Sequence, residues 1–209
     1  MPMPAKSPAK RKAVFLDRDG VLIEDRQALV SADDIVLAKG APEALRRLKE
    51  AGYQLVVVSN QAAVARGLLS LDQVRSLEQA VEARLVQAGA APIDGFYFCP
   101  HHPAADLPEY RCSCACRKPA PGLLLDASAA LGINLDESVM IGDRSSDVVA
   151  GRRAGCRTIQ VLTGKHADPP IEIVGGFAPQ APDFLCATLA EAAELIVSEL
   201  AAGEEGGPS

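Results

Sequence analysis

Ala13-Val14-Phe15-Leu16-Asp17-Arg18-Asp19-Gly20 sets the fold class of this chain. Four apolar residues without alternation, halted by a carboxylate, form a strand buried on both faces. The pattern recurs at Gln54-Leu55-Val56-Val57-Val58, which ends at Ser59-Asn60. It recurs again at Gly95-Phe96-Tyr97-Phe98, which delivers Cys99, and at Ser138-Val139-Met140-Ile141, which delivers Gly142-Asp143. Arg157 to Val161 is a further strand, and Asp183-Phe184-Leu185 is read as one more.

Helical signals fill the gaps between these strands. Pro42 to Ala51 carries Pro in the first turn and Gly52 at the C′ position. Ser70-x-x-Gln73 is a capping box opening a helix with the apolar face Leu71, Val74, Leu77, Val81 and Leu85, stopped by Gly89. Pro121 to Leu131 closes at Gly132, Ser146 to Ala154 closes at Gly155, and a last helix is expected from Leu189 to Leu200. Strands alternating with helices predict an α/β fold, an open doubly wound parallel sheet covered on both faces. In such sheets ligands bind beyond the carboxyl ends of the strands. Asp17, Asp19, Ser59, Asn60, Cys99, His101 and Asp143 all fall there.

Composition narrows the function classes. The formal net charge of −6 argues against a general nucleic-acid binder, which is normally basic. The basic run Lys6 to Lys12 lacks the apolar core of a secretory signal and reads as a solvated tail. No apolar stretch approaches the roughly 18 residues needed to span a bilayer. Four of the six cysteines crowd between Cys99 and Cys116, which in a chain without an export signal points to a metal rather than disulfides. The expectation is a cytoplasmic monomer whose partner is a small molecule, with neither nucleic acid nor membrane involved.

Two carboxylates in Asp17-Arg18-Asp19-Gly20 and a second acidic cluster, Gly142-Asp143-Arg144-Ser145-Ser146-Asp147, repel unless a cation or proton offsets them. One such Asp alone is a turn device; two clusters at strand ends suit Mg²⁺. Ser59, Asn60 and Lys118 add hydrogen-bond donors and a cation, completing a phosphoryl-transfer set. Cys99-x-His101 and Cys114-x-Cys116 have the ligand types of a tetrahedral Zn²⁺ site. Cys112 gives a second, overlapping C-x-C choice, and His102 competes with His101. With four protein ligands such a zinc has no open position, so its role is structural. Arg18 and Arg144 read equally as structural or as substrate-facing residues, and Arg66 as either a solvated charge or an anion ligand.

Phe15-Leu16-Asp17-x-Asp19-Gly20, Val58-Ser59-Asn60-Gln61, Lys118-Pro119 and Ile141-Gly142-Asp143-x-x-x-Asp147 resemble, in order and spacing, the four motifs of the haloacid dehalogenase (HAD) superfamily of phosphatases. The resemblance runs from Lys12 to Leu162. Ala65-Arg66-Gly67, Cys99-Pro-His101-His102-Pro103, Cys114-x-Cys116-Arg117-Lys118-Pro119 and Thr163-Gly164-Lys165 further resemble the heptose-bisphosphate phosphatases. Histidinol-phosphate phosphatases share the zinc pattern but have a shorter loop than His102–Ser113. Val21 departs from the superfamily's usual Thr.

The resemblance implies an Mg²⁺-dependent phosphatase acting on a heptose 1,7-bisphosphate. Asp17 is then nucleophile and Asp19 acid and base. Asp17, the Asp19 carbonyl and Asp143 hold Mg²⁺, and Cys99, His101, Cys114 and Cys116 hold Zn²⁺. Ser59 and Lys118 bind the transferred phosphoryl group, Asp147 supports Lys118 or a metal-bound water, and Arg66 and Arg117 await a second phosphate. The organisation expected is a disordered tail over 1–11 and one phosphatase domain over 12–200 without a large cap. That domain carries a zinc loop at 99–116, and a second tail covers 201–209. A zinc-stabilised module that binds a phosphorylated ligand without turnover is the rival from another class.

Overall fold

The computed structural model describes residues 11–25, 29–166 and 180–200. The expected tails over 1–10 and 201–209, and most of the Pro-rich stretch 168–182, lie outside the described residues. Six strands form one parallel sheet: β1 (Ala13–Leu16), β2 (Gln54–Asn60), β3 (Gly95–Cys99), β4 (Val139–Gly142), β5 (Arg157–Val161) and β6 (Phe184–Cys186). Their order is β3-β2-β1-β4-β5-β6. The chain therefore winds outward one way through β1, β2 and β3, then returns to the middle and winds the other way through β4, β5 and β6. The reversal lies between β1 and β4, which pair as Phe15 with Met140 and Leu16 with Ile141. An open crevice forms at such a switch point, beyond the carboxyl ends of the strands.

The unbroken apolar runs follow from the two covered faces. Val14 and Leu16, with Leu55 and Val57, pack under α1 (Ala41–Glu50), α3 (Leu71–Gln87) and α6 (Leu189–Leu195). Ala13 and Phe15, with Val56 and Val58, pack under α4 (Gly122–Leu131) and α5 (Ser145–Ala154). Successive strand residues point to opposite faces, so each position needs an apolar side chain. These strand residues are fully buried and contribute about 1.5–3 kcal/mol per large side chain.

The end signals hold in detail. Both hydrogen bonds of the Ser70–Gln73 capping box form, and Gly132 and Gly155 take the left-handed conformation at the ends of α4 and α5. Three features differ from the sequence reading. A short helix α2 (Ala62–Ala65) follows β2, too brief to show a periodicity. The final helix is α-helical only to Leu195 and continues as a π-helical turn over Ile196–Leu200. Arg11, expected in the tail, is bridged to Ile133 through backbone hydrogen bonds to Gly132 and Asn134. Among the described residues, no helix is long and apolar enough to cross a membrane.

Candidate active site

Asp17 continues β1, its backbone N–H donating to Ile141 O of β4 at 3.0 Å. Asp143 follows β4, and Asp147 lies in the first turn of α5. Carboxylate oxygens of these three buried residues lie within 4.8 Å of one another. Lys118 Nζ sits among them, 3.0 Å from Asp17 Oδ1 and 2.7 Å from Asp147 Oδ1, and donates to Val58 O at 2.7 Å. Val58 O accepts a hydrogen bond from it, and the two carboxylates flank it as ion pairs. Asp17 Oδ1 also accepts from the Arg18 N–H at 2.8 Å. Both bonds fall on one oxygen, which leaves Oδ2 for chemistry.

Glycine lets this crevice close around Asp143. Gly20 has φ +83° and Gly164 φ +63°, and a Cβ on either would come within 2.6 or 2.4 Å of Asp143 Oδ2. Asp143 Oδ2 accepts from Lys165 N at 2.6 Å, whereas the buried Oδ1 has no hydrogen-bond partner. An orphaned carboxylate oxygen facing two further carboxylates is a cation cradle, and hard oxygen ligands fit Mg²⁺. Asp17 and Asp143 hold the expected positions. Asp147, not the Asp19 side chain, is the third carboxylate of the cluster; Asp19 turns away to Arg18 and Gln61.

Without a cation the cluster titrates high. Burial, reinforced by Asp147 and Asp17, pushes Asp143 up to about 7. Burial also raises Asp17, to about 6, although Lys118 opposes the rise. Burial disfavours the Lys118 ammonium, but Asp147 and Asp17 together hold its pKa above the ordinary value. The two raised carboxyls bind protons more tightly in the folded protein than in the unfolded chain. Folding stability is therefore lost as pH rises through 6 to 7, and recovered on acidification until ordinary carboxyls titrate near ~4. The metal-free protein is expected to be about 2–3 kcal/mol more stable to urea at pH 5.5 than at pH 8. Added Mg²⁺ should close that gap at pH 8. A metal-free stability that rises from pH 5.5 to 8 would contradict the arrangement.

The four expected soft ligands also come together. Cys99 ends β3, and its Sγ is 3.5 Å from Cys114 Sγ and 3.1 Å from Cys116 Sγ. Cys114 and Cys116 are 3.2 Å apart, and His101 Nδ1 is 3.7 and 3.5 Å from Cys99 and Cys116. A zinc ion with ~2.3 Å bonds to sulfur sets edges of about 3.8 Å, close to this cage. Burial pushes the Cys99 and Cys116 thiols up, Cys116 to about 11, whereas at Cys114 burial is outweighed by hydrogen bonds from Cys116 and Cys99, which lower it. Cys112 is exposed and outside the cluster, and His102 instead accepts the Ala104 N–H.

This cage bears on the adjacent cations. Arg117 donates to His101 O at 2.9 Å, so its guanidinium is tied to the loop the cage closes. The Lys118 backbone is bracketed by Asn60, which donates Nδ2 to Lys118 O at 3.0 Å and accepts the Lys118 N–H at 3.1 Å. Asn60, expected among the substrate donors, has its amide engaged in holding Lys118. Ser59 accepts from Gln61 Nε2 at 2.6 Å, and its hydroxyl proton is left for an anion.

A cavity of about 770 Å³ is lined by Asp17, Asp147, Ser59 and Lys118 together with Arg66, Arg117, Arg144 and Lys165. Arg144 and Lys165 both pair with the Asp25 carboxylate at 3.2 Å. Arg66 is exposed and has no acidic partner among the described residues. Burial lowers the Arg117 pKa, and repulsion from Arg144 and Arg66 adds to it. Uncompensated guanidinium groups around a cavity favour a bound anion.

A HAD-hydrolase-like family model matches residues 115–192. The D-glycero-beta-D-manno-heptose-1,7-bisphosphate 7-phosphatase of Photorhabdus laumondii is 42% identical over 161 residues, covering 77% of this chain and 85% of the relative. The chain belongs to the heptose-bisphosphate phosphatase family of the HAD superfamily. Another member of that family, from Escherichia coli K12, is 39% identical over 161 residues, 77% of this chain and 84% of its own. The solved D,D-heptose 1,7-bisphosphate phosphatase of B. bronchiseptica, complexed with magnesium and phosphate, superimposes with a TM-score of 0.75 at 31% identity. It covers 90% of this chain and 99% of its own. A putative HAD-like phosphatase from Mesorhizobium loti gives a TM-score of 0.72 at 28% identity, covering 100% and 99%.

Of two further residues of this family member, the sequence reading left Arg18 open between a structural and a substrate-facing place and gave Gln61 no role. Arg18 lies buried with its guanidinium on Asp19, and Gln61 bridges Asp19 to Ser59. Both stand inside quoted motifs, but no spacing signals that an arginine will fold back beneath its own strand end.

Proposed function

We propose that this protein is an Mg²⁺-dependent phosphatase with a structural Zn²⁺, removing the C7 phosphate of D-glycero-D-manno-heptose 1,7-bisphosphate. The observation that carries the reading is a cavity with two cationic poles. Lys118 pairs with Asp17, and Arg66 and Arg117 line the same cavity. A bisphosphate would engage both sets of cations; a monophosphate would engage one. The family's printed activity supports the same substrate. The step fits the making of nucleotide-activated heptose for surface polysaccharide.

Asp17 Oδ2 attacks phosphorus and forms an aspartyl-phosphate as the bond to the sugar oxygen breaks. Asp19 gives that oxygen its proton. The Asp19 carboxylate then takes a proton from a water that attacks phosphorus, releasing phosphate and restoring Asp17. Ser59 and Lys118 hold the phosphoryl oxygens. Asp17, Asp143 and the Asp19 carbonyl would hold Mg²⁺, which supplies neutralising charge to the transferred group. Asp147 keeps Lys118 charged and in place. Cys99, His101, Cys114 and Cys116 would hold Zn²⁺ and so fix the loop carrying Arg117.

The test is kcat/KM on the heptose bisphosphate beside histidinol phosphate. The bisphosphate is expected to win, and Arg117→Ala to cost it roughly 10–100-fold, mainly in KM. A histidinol phosphate preference, or an Arg117→Ala variant unchanged on the bisphosphate, would remove the two-pole reading.

A further inference from the structure

Arg18 is among the largest buried side chains of the protein, only 2% exposed, beside an active site already rich in charge. A guanidinium is costly to bury without close partners. Its partners here are specific. Arg18 Nη2 donates to both oxygens of Asp19, at 3.0 and 2.9 Å, and Nε to Oδ1 at 3.2 Å. Nη2 also donates to Gln61 Oε1 at 3.0 Å. Gln61, equally buried, turns its Nε2 to Asp19 Oδ2 at 3.1 Å and to Ser59 Oγ at 2.6 Å. The amide therefore joins the candidate proton donor to the candidate phosphoryl ligand.

The backbone locks the other side of this network. Leu22 N and Ile23 N both donate to Arg18 O, and Gly20 N donates to Ile23 O, so the turn carrying Asp19 is tight. Neighbouring side chains at a strand end normally diverge. Arg18 reaching back onto Asp19 is held by Gln61, from β2's end, across the cavity floor. The Asp19 carboxylate keeps 26% of its surface, and it lines the cavity. Behind Arg18, Glu78 of α3 is buried, with Oε1 lacking a partner, and Arg18 is the foremost cation acting on it.

We propose that Arg18 and Gln61 are positioning residues for proton transfer, fixing the Asp19 carboxylate relative to Ser59 and hence to the scissile oxygen. The inference rests on the phosphatase reading above, with Asp19 as acid. Proton delivery matters for a leaving alkoxide and little for a leaving dinitrophenolate, which departs as a stable anion. The ratio of kcat/KM for an alkyl phosphate to that for 2,4-dinitrophenyl phosphate isolates the step.

The assay uses the Mg²⁺-loaded full chain and compares Gln61→Leu, Arg18→Lys and Arg18→Gln with Asp19→Asn. A displaced donor costs up to ~10²-fold, so the ratio should fall about tenfold or more in Gln61→Leu and Arg18→Gln. Arg18→Lys, which keeps the charge, should recover part of it. Dinitrophenyl phosphate turnover reports folded enzyme in the same assay. If both substrates fall in step in Gln61→Leu and Arg18→Gln, the residues are scaffold and the proposal fails. If Asp19→Asn itself leaves the ratio unchanged, the acid assignment fails and takes the proposal with it.

Discussion

Asp17→Asn is expected to lower turnover of both an aryl phosphate and the heptose bisphosphate by at least ~10³-fold, in a protein that remains folded. The amide loses the nucleophilic oxygen but keeps the shape. Its Oδ1 can still accept from Arg18 N and Lys118 Nζ, the two bonds that Asp17 Oδ1 makes now. The loss therefore falls on Oδ2, the oxygen those bonds leave free. Stability should move the other way in metal-free protein. Asp17 is one of the charges that raise Asp143, so neutralising it relieves repulsion in the cluster. Melting in chelator should be unchanged or higher at pH 8, and the added stability from Mg²⁺ smaller. A rate within tenfold of the parent would end the aspartyl-phosphate mechanism. A module built only to bind a phosphorylated ligand would show no turnover in the parent chain either.

The candidate carboxylates Asp17 and Asp143 were legible because each ends an apolar run. A strand buried on both faces is apolar through its middle, so the first carboxylate after the run marks the strand's end. Asp17, Ser59 and Asp143 follow from that alone, and the β1–β4 reversal brings Asp17 and Asp143 together. The Cys/His cluster was legible by residue type, but which of Cys112, Cys114 and Cys116 join it needed three dimensions. Asn60 shows the limit. An amide at a strand tip can face a ligand or a neighbouring backbone with equal chemistry, and here it pairs with Lys118.

Glu78 was hidden differently. It lies four residues after Val74 and three before Val81, squarely on the apolar stripe of α3, and it is buried there. Burial pushes its carboxyl up to about 7, and the Arg18 charge, then that of Arg75, opposes the rise. The arginine in turn reads from sequence equally as a structural or rim residue and as a substrate contact, and buried arginines are rare. Each of the two is improbable inside the core alone, and the fold makes them plausible together.

The zinc cage has the second large effect. Chelating the metal, or Cys114→Ser, is expected to lower stability by about 5 kcal/mol or more, some ~10–20 °C in melting temperature. Elemental analysis of the parent protein should find one zinc per chain. The catalytic consequence is selective, because the two cations beyond Cys116 are anchored unequally. Lys118 is held by Val58 O, Asp17, Asp147 and both bonds from Asn60, none of which involves the cage. The Arg117 guanidinium, among the described residues, is tied through its bond to His101 O, within the loop the cage closes. Loss of zinc at a temperature where the sheet survives should thus raise KM for the bisphosphate roughly tenfold or more and leave kcat on a simple aryl phosphate far less affected. Equal loss on both substrates would place the cage's influence at Lys118 instead. Parent protein without zinc, with thiols that titrate freely, would reduce the cluster to buried cysteines and leave Arg117 without a reason for its position.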